Sequence, residues 1–207
     1  MKFIIIISLI ILLIYLYPRY KTPIVYKDVI TEEERQHIIE TARSQLKTSE
    51  VESDKGKIDH TIRVSETAWL DPKTDPVVKR VMQKCLSKCD RPMHNCEFLQ
   101  VVRYKEGGFY KPHYDTCHKR YGCYDEKVLN NQRMYTFIIA LNDEYKGGKT
   151  SFPVLNQSFK LKAGDILKFC NLNNYGYPTG NSLHTGTPVE SGEKWICNVW
   201  VHTYPYL

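Results

Sequence analysis

From residue 97 to the end, the chain is a succession of short β-forming runs broken by glycine turns, and this limits what it can fold into. Residues 97–104, 110–115, 133–142, 149–152, 159–161, 165–170, 183–189 and 194–203 are rich in branched and aromatic side chains that fit a pleated surface. Gly107-Gly108, Gly147-Gly148 and Gly164 stand at the breaks. Short strands at such spacing predict a sandwich or jelly roll. The last run alternates cleanly. Lys194, Ile196, Asn198, Trp200 and His202 share one face, and Trp195, Cys197, Val199 and Val201 share the other. The second set is an ordinary core face. The first is a plain polar surface if it meets solvent. If it meets the interior, its buried charge needs a partner.

The segment before these strands is helical. Thr31 to Glu34 has the form of a capping box, followed by an apolar stripe at Ile38, Ile39, Ala42 and Leu46. Asp75-Pro76 reads as an N-cap with proline at the first helical position, and Val78, Val81, Met82, Cys85 and Cys89 form the apolar face behind it. Residues 50–66 are polar and predicted to be loop. The fold class is therefore α+β, with N-terminal helices packed on one sheet.

His113 and Asp115 stand one residue apart, and His184 lies far downstream. Two imidazoles and one carboxylate make the set that holds non-haem Fe(II) by one face. Alternation along a strand predicts that His113 and Asp115 point to the same side. Three protein ligands leave three positions of an octahedral ion open, enough for a chelating 2-oxo acid and O2. Lys194, soon after the distal histidine, is a cation placed for the far carboxylate of such an acid.

The N-terminus differs from everything after it. Residues 3–17 are apolar but for Ser8, with Lys2 before them and Arg19 and Lys21 after. That length sits at the lower edge of a bilayer span and also fits a signal-peptide core. The bulky residues that follow offer no small-x-small cleavage site. The expectation is an uncleaved signal-anchor over residues 1–22 and a soluble domain over 23–207, with secretion after cleavage as the alternative. Charge flanks both sides of the run, so it decides orientation weakly. The net charge of +6 is scattered, which favours a solvated surface over a nucleic-acid face. The 7 cysteines form no CxxC pair, which argues against a zinc ribbon. Cys117 and Cys123 bracket a short polar loop and are a candidate disulfide if the domain is lumenal; buried or free thiols are the equal alternative.

The residues resemble the catalytic domain of the prolyl 4-hydroxylases, within the Fe(II)/2-oxoglutarate dioxygenases. The likeness runs from Arg63-Val-Ser65 and residues 97–104 through His113-Tyr-Asp115, Arg133 to Thr136, Leu141 to Asp143 and Gly147 to Pro153. It continues at Lys162 to Asp165, Ser182 to His184, Gly192 to Trp195 and Val199 to His202, and covers residues 25–205. The resemblance implies a double-stranded β-helix core of the jelly-roll or cupin type. It implies His113, Asp115 and His184 as iron ligands, Lys194 as the partner of 2-oxoglutarate, and Tyr104 and Thr150 as further contacts to that acid. Trp200 matches an aromatic wall near the iron. Glu97, Arg133 and His202 match positions lining a peptide groove, with Arg133 also implied as a catalytic residue that bonds the backbone carbonyl near the reacting ring. Ile139 departs from oxygen-sensing relatives, which place a tyrosine there against the co-substrate. That departure points to the collagen-type or plant-type branch.

The implied reaction is proline hydroxylation in a peptide or protein, with Fe(II), 2-oxoglutarate and ascorbate, on an endoplasmic-reticulum membrane with a lumenal catalytic domain. A lysyl hydroxylase, another 2-oxoglutarate-dependent hydroxylase and a non-catalytic module on the same fold are the alternatives. The intact metal triad speaks against the last. Loops 116–132 and 171–181 adjoin the metal-bearing strands and are candidate lids. Their Tyr121, Tyr124, Tyr175 and Tyr177 are candidates to stack on a proline ring.

Overall fold

The structure is a computed structural model that describes residues 7, 16–50, 59–117, 123 and 126–206. Two antiparallel sheets face each other. The larger runs in the order β1 (Ile24–Tyr26), β11 (Ile166–Cys170), β7 (Arg133–Ala140), β14 (Lys194–His202), β5 (Leu99–Tyr104), β4 (Glu66–Leu70) and β2 (Lys47–Thr48). The smaller runs β10 (Gln157–Phe159), β9 (Thr150–Phe152), β12 (His184–Gly186), β6 (Phe109–His113) and β3 (Arg63–Val64). A ribbon of β13 (Val189–Ser191) and β8 (Lys146–Gly147) lies beside them. This is the expected double-stranded β-helix.

Helix α1 (Glu32–Arg43) starts with the expected capping box, in which Thr31 Oγ1 accepts from Glu34 N and Glu34 Oε2 accepts from Thr31 N. Helix α2 (Pro76–Leu86) starts at Asp75, whose Oδ1 accepts from Val77 N and Val78 N. Buried Glu34 ties the two together through Arg80 and Lys84 at 2.9 and 2.7 Å. Both helices lay their stripes on the outer face of the larger sheet. There Ile38, Ala42, Val78, Val81 and Met82 pack on Val101, Phe137, Ile139, Cys197, Val199 and Val201. Each such fully buried side chain contributes about 1.5–3 kcal/mol. A second apolar layer fills the space between the sheets, with Val102, Ile138, Ala140, Phe152, Leu167, Phe169 and Ile196. The two faces of β14 therefore sort as their alternation predicts.

Several expectations are corrected. Leu46 and Cys89 lie beyond the ends of α1 and α2, though both still pack on the helical core. The stretch 50–66 is not all loop. Arg63 and Val64 pair with Tyr110 and Phe109, so partners elsewhere in the chain override a polar local composition. Residues 51–58 lie outside the described residues. The single strand expected at 183–189 is split into β12 and β13, with Pro188, which lacks an N–H for the ladder, between them. A short helix, α3 (Glu126–Asn130), stands within the loop that follows Asp115. Cys117 and Cys123 form a disulfide with Cα atoms 5.3 Å apart.

Apart from Ile7, Leu16 and Tyr17, the expected signal-anchor run 3–17 lies outside the described residues, as do Tyr121 and Tyr124. Among the described residues, no helix is long and apolar enough to cross a membrane.

Candidate active site

The metal-binding candidates meet where the smaller sheet faces the larger. His113 ends β6, His184 begins β12, and the two are cross-strand partners. Asp115 lies past the end of β6, so alternation within a strand is not what aims it. Instead Thr136 Oγ1, from β7 of the opposite sheet, donates to Asp115 Oδ2 at 2.6 Å, and Asn171 Nδ2 donates to Thr136 Oγ1 at 2.8 Å. His113 Nε2 and His184 Nε2 are each 3.8 Å from an Asp115 carboxylate oxygen. The three ligand atoms lie within 4.8 Å of one another.

Both histidines are fixed in one tautomer. His113 Nδ1 lies 2.8 Å from Lys111 O, and His184 Nδ1 lies 3.0 Å from Ser182 O. A carbonyl can only accept, so each Nδ1 carries the proton and each Nε2 keeps its lone pair for the centre. Burial, reinforced by His184, pushes His113 down to about 3. Burial opposes ionisation of Asp115, yet His184, His113 and Arg133 together hold it down to about 2. Neutral imidazoles and an ionised carboxylate are the forms that ligate a metal. The donor set and its locked tautomers fit Fe(II). Tyr110 stacks on the His113 ring at 3.5 Å, and Phe169 lies 4.7 Å from that of His184.

Lys194 begins β14 on the inner face, opposite Tyr104 of β5. It is 5% exposed, and no carboxylate pairs with it among the described residues. Its ammonium lies 5.3 Å from the Tyr104 ring, and burial, then Lys160, push it down to about 7. It lines a pocket with Ile138, Ala140, Thr150, Phe159 and Ile196. A buried cation facing an apolar pocket, with no anion of its own, fits a dicarboxylate. Tyr104 is buried close by, and burial raises its hydroxyl pKa against the opposing influence of Arg63. The expectation for Ile139 is corrected. Ile139 packs beneath the helices, and its neighbour Ala140 faces the pocket, because successive strand residues point to opposite faces.

Glu97, Arg133 and His202 form one buried cluster. Arg133 Nε and Nη2 donate to the two Glu97 oxygens at 2.5 and 2.9 Å, and His202 Nε2 lies 2.8 Å from Oε1. The Arg133 guanidinium also sits 3.8 Å over the Trp200 ring. Trp200 Nε1 is buried without a hydrogen-bond partner among the described residues. Trp69, 44% exposed, lies 5.9 Å from Trp200. Of the loop tyrosines, Tyr175 and Tyr177 are exposed.

Some contributors were missed from the sequence. Tyr110, Thr136, Asn171 and Ser182 hold the ligands in place, and buried Arg63 sits 4.8 Å over the Tyr110 ring. Thr136 alone carried a signal, as a hydroxyl on the pocket-facing side of β7.

Comparison with known proteins places these residues in a family. The family model described as the 2OG-Fe(II) oxygenase superfamily matches residues 99–202. A protein of Acanthamoeba polyphaga mimivirus assigned as a prolyl 4-hydroxylase is 39% identical over 183 residues, covering 87% of this chain and 74% of its own. The prolyl 4-hydroxylase subunit alpha-3 of Mus musculus is 34% identical over 86% of this chain, which spans only 33% of that subunit. The crystal structure of a viral collagen prolyl hydroxylase from Paramecium Bursaria Chlorella virus-1, in its 2OG complex, superposes with a TM-score of 0.70 at 28% identity. That match covers 89% of this chain and 97% of the viral one.

Proposed function

Because the chain belongs to the prolyl 4-hydroxylases of the 2OG-Fe(II) oxygenase superfamily, we propose that it hydroxylates proline in a peptide or protein. It is an Fe(II)- and 2-oxoglutarate-dependent dioxygenase. When bound, Fe(II) and 2-oxoglutarate supply O2-dependent hydroxylation of an unactivated C–H, with the acid leaving as succinate and CO2. His113, Asp115 and His184 hold the ion. Lys194 meets the far carboxylate of the acid, and Tyr104 and Thr150 orient it. Ascorbate would supply the reductant that such an iron site needs.

The observation that carries the peptide reading is the Glu97–Arg133–His202 cluster beside Trp200. Arg133 is held rigid by a bidentate carboxylate and lies over an indole whose N–H is unspent. A rigid donor and an unspent one suit the carbonyls of an extended chain. A proline-rich peptide is already close to polyproline II and binds at low entropic cost. Glu97 and His202 fix Arg133, and Arg133 and Trp200 position the ring. Arg133→Ala should weaken turnover of proline-rich peptides while peptide-independent decarboxylation of 2-oxoglutarate continues. Parallel loss of both activities would remove Arg133 from the peptide site.

Residues 3–17 act in this reading as an uncleaved signal-anchor with a lumenal catalytic domain. The apolar run supports it, as does the Cys117–Cys123 disulfide, which belongs to oxidising compartments. Recovery of the intact chain in the soluble fraction after alkaline extraction of membranes would rule it out.

A further inference from the structure

Beside Lys194 the pocket is closed by an aromatic ring that comes from a loop. Tyr145 lies between β7 and β8, is 8% exposed, and lines the pocket with Ala140, Gly148, Thr150 and Lys194. Ala140, the residue that β7 turns toward the pocket, offers only a methyl group there. Gly148 offers no side chain. A Cβ on it would come within 2.9 Å of Tyr145 Cε2 and 3.1 Å of Lys194 Cδ. The ring edge and the lysine stem thus meet against one glycine. The face of the same ring carries a second cation. Lys160 Nζ lies 3.0 Å from the Tyr145 centroid and donates to Tyr145 O and Gly147 O at 3.0 and 3.1 Å. Lys160 is exposed and Tyr145 buried, so the ring stands between the pocket and a lysine on the solvent side.

We propose that Tyr145 sets the length of the 2-oxo dicarboxylate this site accepts, as the wall beside Lys194. The inference rests on the 2-oxoglutarate reading above and names the residue that enforces it. In this reading the ring, packed with the Lys194 stem against Gly148, limits the space beside the ammonium. One methylene in a closed apolar pocket discriminates by roughly 10–200-fold. With the ring removed, the pocket opens toward Lys160, and a longer acid gains both space and a second cation.

The test is calorimetric titration of 2-oxoglutarate and 2-oxoadipate into the Mn(II)-loaded full chain, with a thermal melt on each variant. The wild type should prefer 2-oxoglutarate by more than about tenfold. Tyr145→Phe keeps the ring and should keep that preference. Tyr145→Leu should shrink it by at least about tenfold, chiefly by tightening 2-oxoadipate. An unchanged ratio in Tyr145→Leu overturns the proposal, as does loss of preference in Tyr145→Phe equal to that in Tyr145→Leu. Should the leucine variant not fold, Ala140→Leu narrows the pocket against an intact Tyr145. It should weaken 2-oxoglutarate by about tenfold or more, and unaltered affinity there also overturns the proposal. Absence of 2-oxoglutarate binding to the wild type refutes the co-substrate reading itself.

Discussion

The two faces of β14 are packed against different things. Outward, Cys197, Val199 and Val201 lie under α1 and α2 in an apolar layer, with Trp195 at its edge, where the Arg43 and Arg103 guanidiniums sit 5.3 and 5.4 Å from its ring. Inward, Asn198 donates to Gln100, Trp200 lies under Arg133 and His202 meets Glu97, while Lys194 and Ile196 face the apolar pocket. The outer face contributes stability by burial, and nothing on it reaches the site. The inner face buries charge at a cost, which the proposed roles of these groups toward a metal, an acid and a peptide would offset. Alternation lets one strand do both, so substitutions one residue apart should separate stability from activity.

The largest effect expected is at the ligands. His113→Ala, Asp115→Ala or His184→Ala should bring turnover to background while the circular dichroism of the fold persists. Turnover of Asp115→Ala near wild type would break the assignment.

Lys194→Met should raise the KM for 2-oxoglutarate by more than about 30-fold, the loss of about 2–5 kcal/mol expected on removing one partner of a buried charge pair. The same change should stabilise the acid-free protein, since it removes a buried cation that has no carboxylate. In the folded chain Lys194 is pushed from 10.5 down to about 7, so between those values the unfolded chain holds a proton that the folded chain lacks. Stability of the acid-free wild type should therefore rise with pH through that window. Urea melts across it should show the rise in wild type and its absence in Lys194→Met.

Thr136→Val removes the hydroxyl that aims Asp115 and should weaken Fe(II) binding by about 10–100-fold. Iron titration followed by dialysis measures it. Ile139→Ala should do the reverse of all these. It should cost about 2–5 kcal/mol of stability and leave the KM for 2-oxoglutarate unchanged. A rise in KM would mean that Ile139 faces the pocket after all.

What was legible in the sequence obeyed local rules. The caps at Thr31 and Asp75, the two helical stripes short of their last members Leu46 and Cys89, and the alternation of β14 need only near neighbours, and they appear where the pattern puts them. The triad was legible because ligand types are few. Contacts between distant segments were not. Asp115 leaves its strand and is aimed by Thr136 from the other sheet. β2 and β3 are two residues each and are placed by pairing with β4 and β6. The parity of β7 decides between Ile139 and Ala140, and resemblance alone set it one residue off. Tyr145 sits in a loop with no periodicity to announce it.

The central claim is that the inner face of this fold oxidises proline. The full chain is incubated with Fe(II), 2-oxoglutarate, ascorbate and O2, with proline-rich and collagen-like peptides alongside lysine-containing peptides that lack proline. Products are read by fragment-ion mass spectrometry. The expected result is the gain of a single oxygen on proline, dependent on 2-oxoglutarate and absent in Asp115→Ala. Faster oxidation of the lysine peptides, or oxygen gain that persists without 2-oxoglutarate, would contradict the claim.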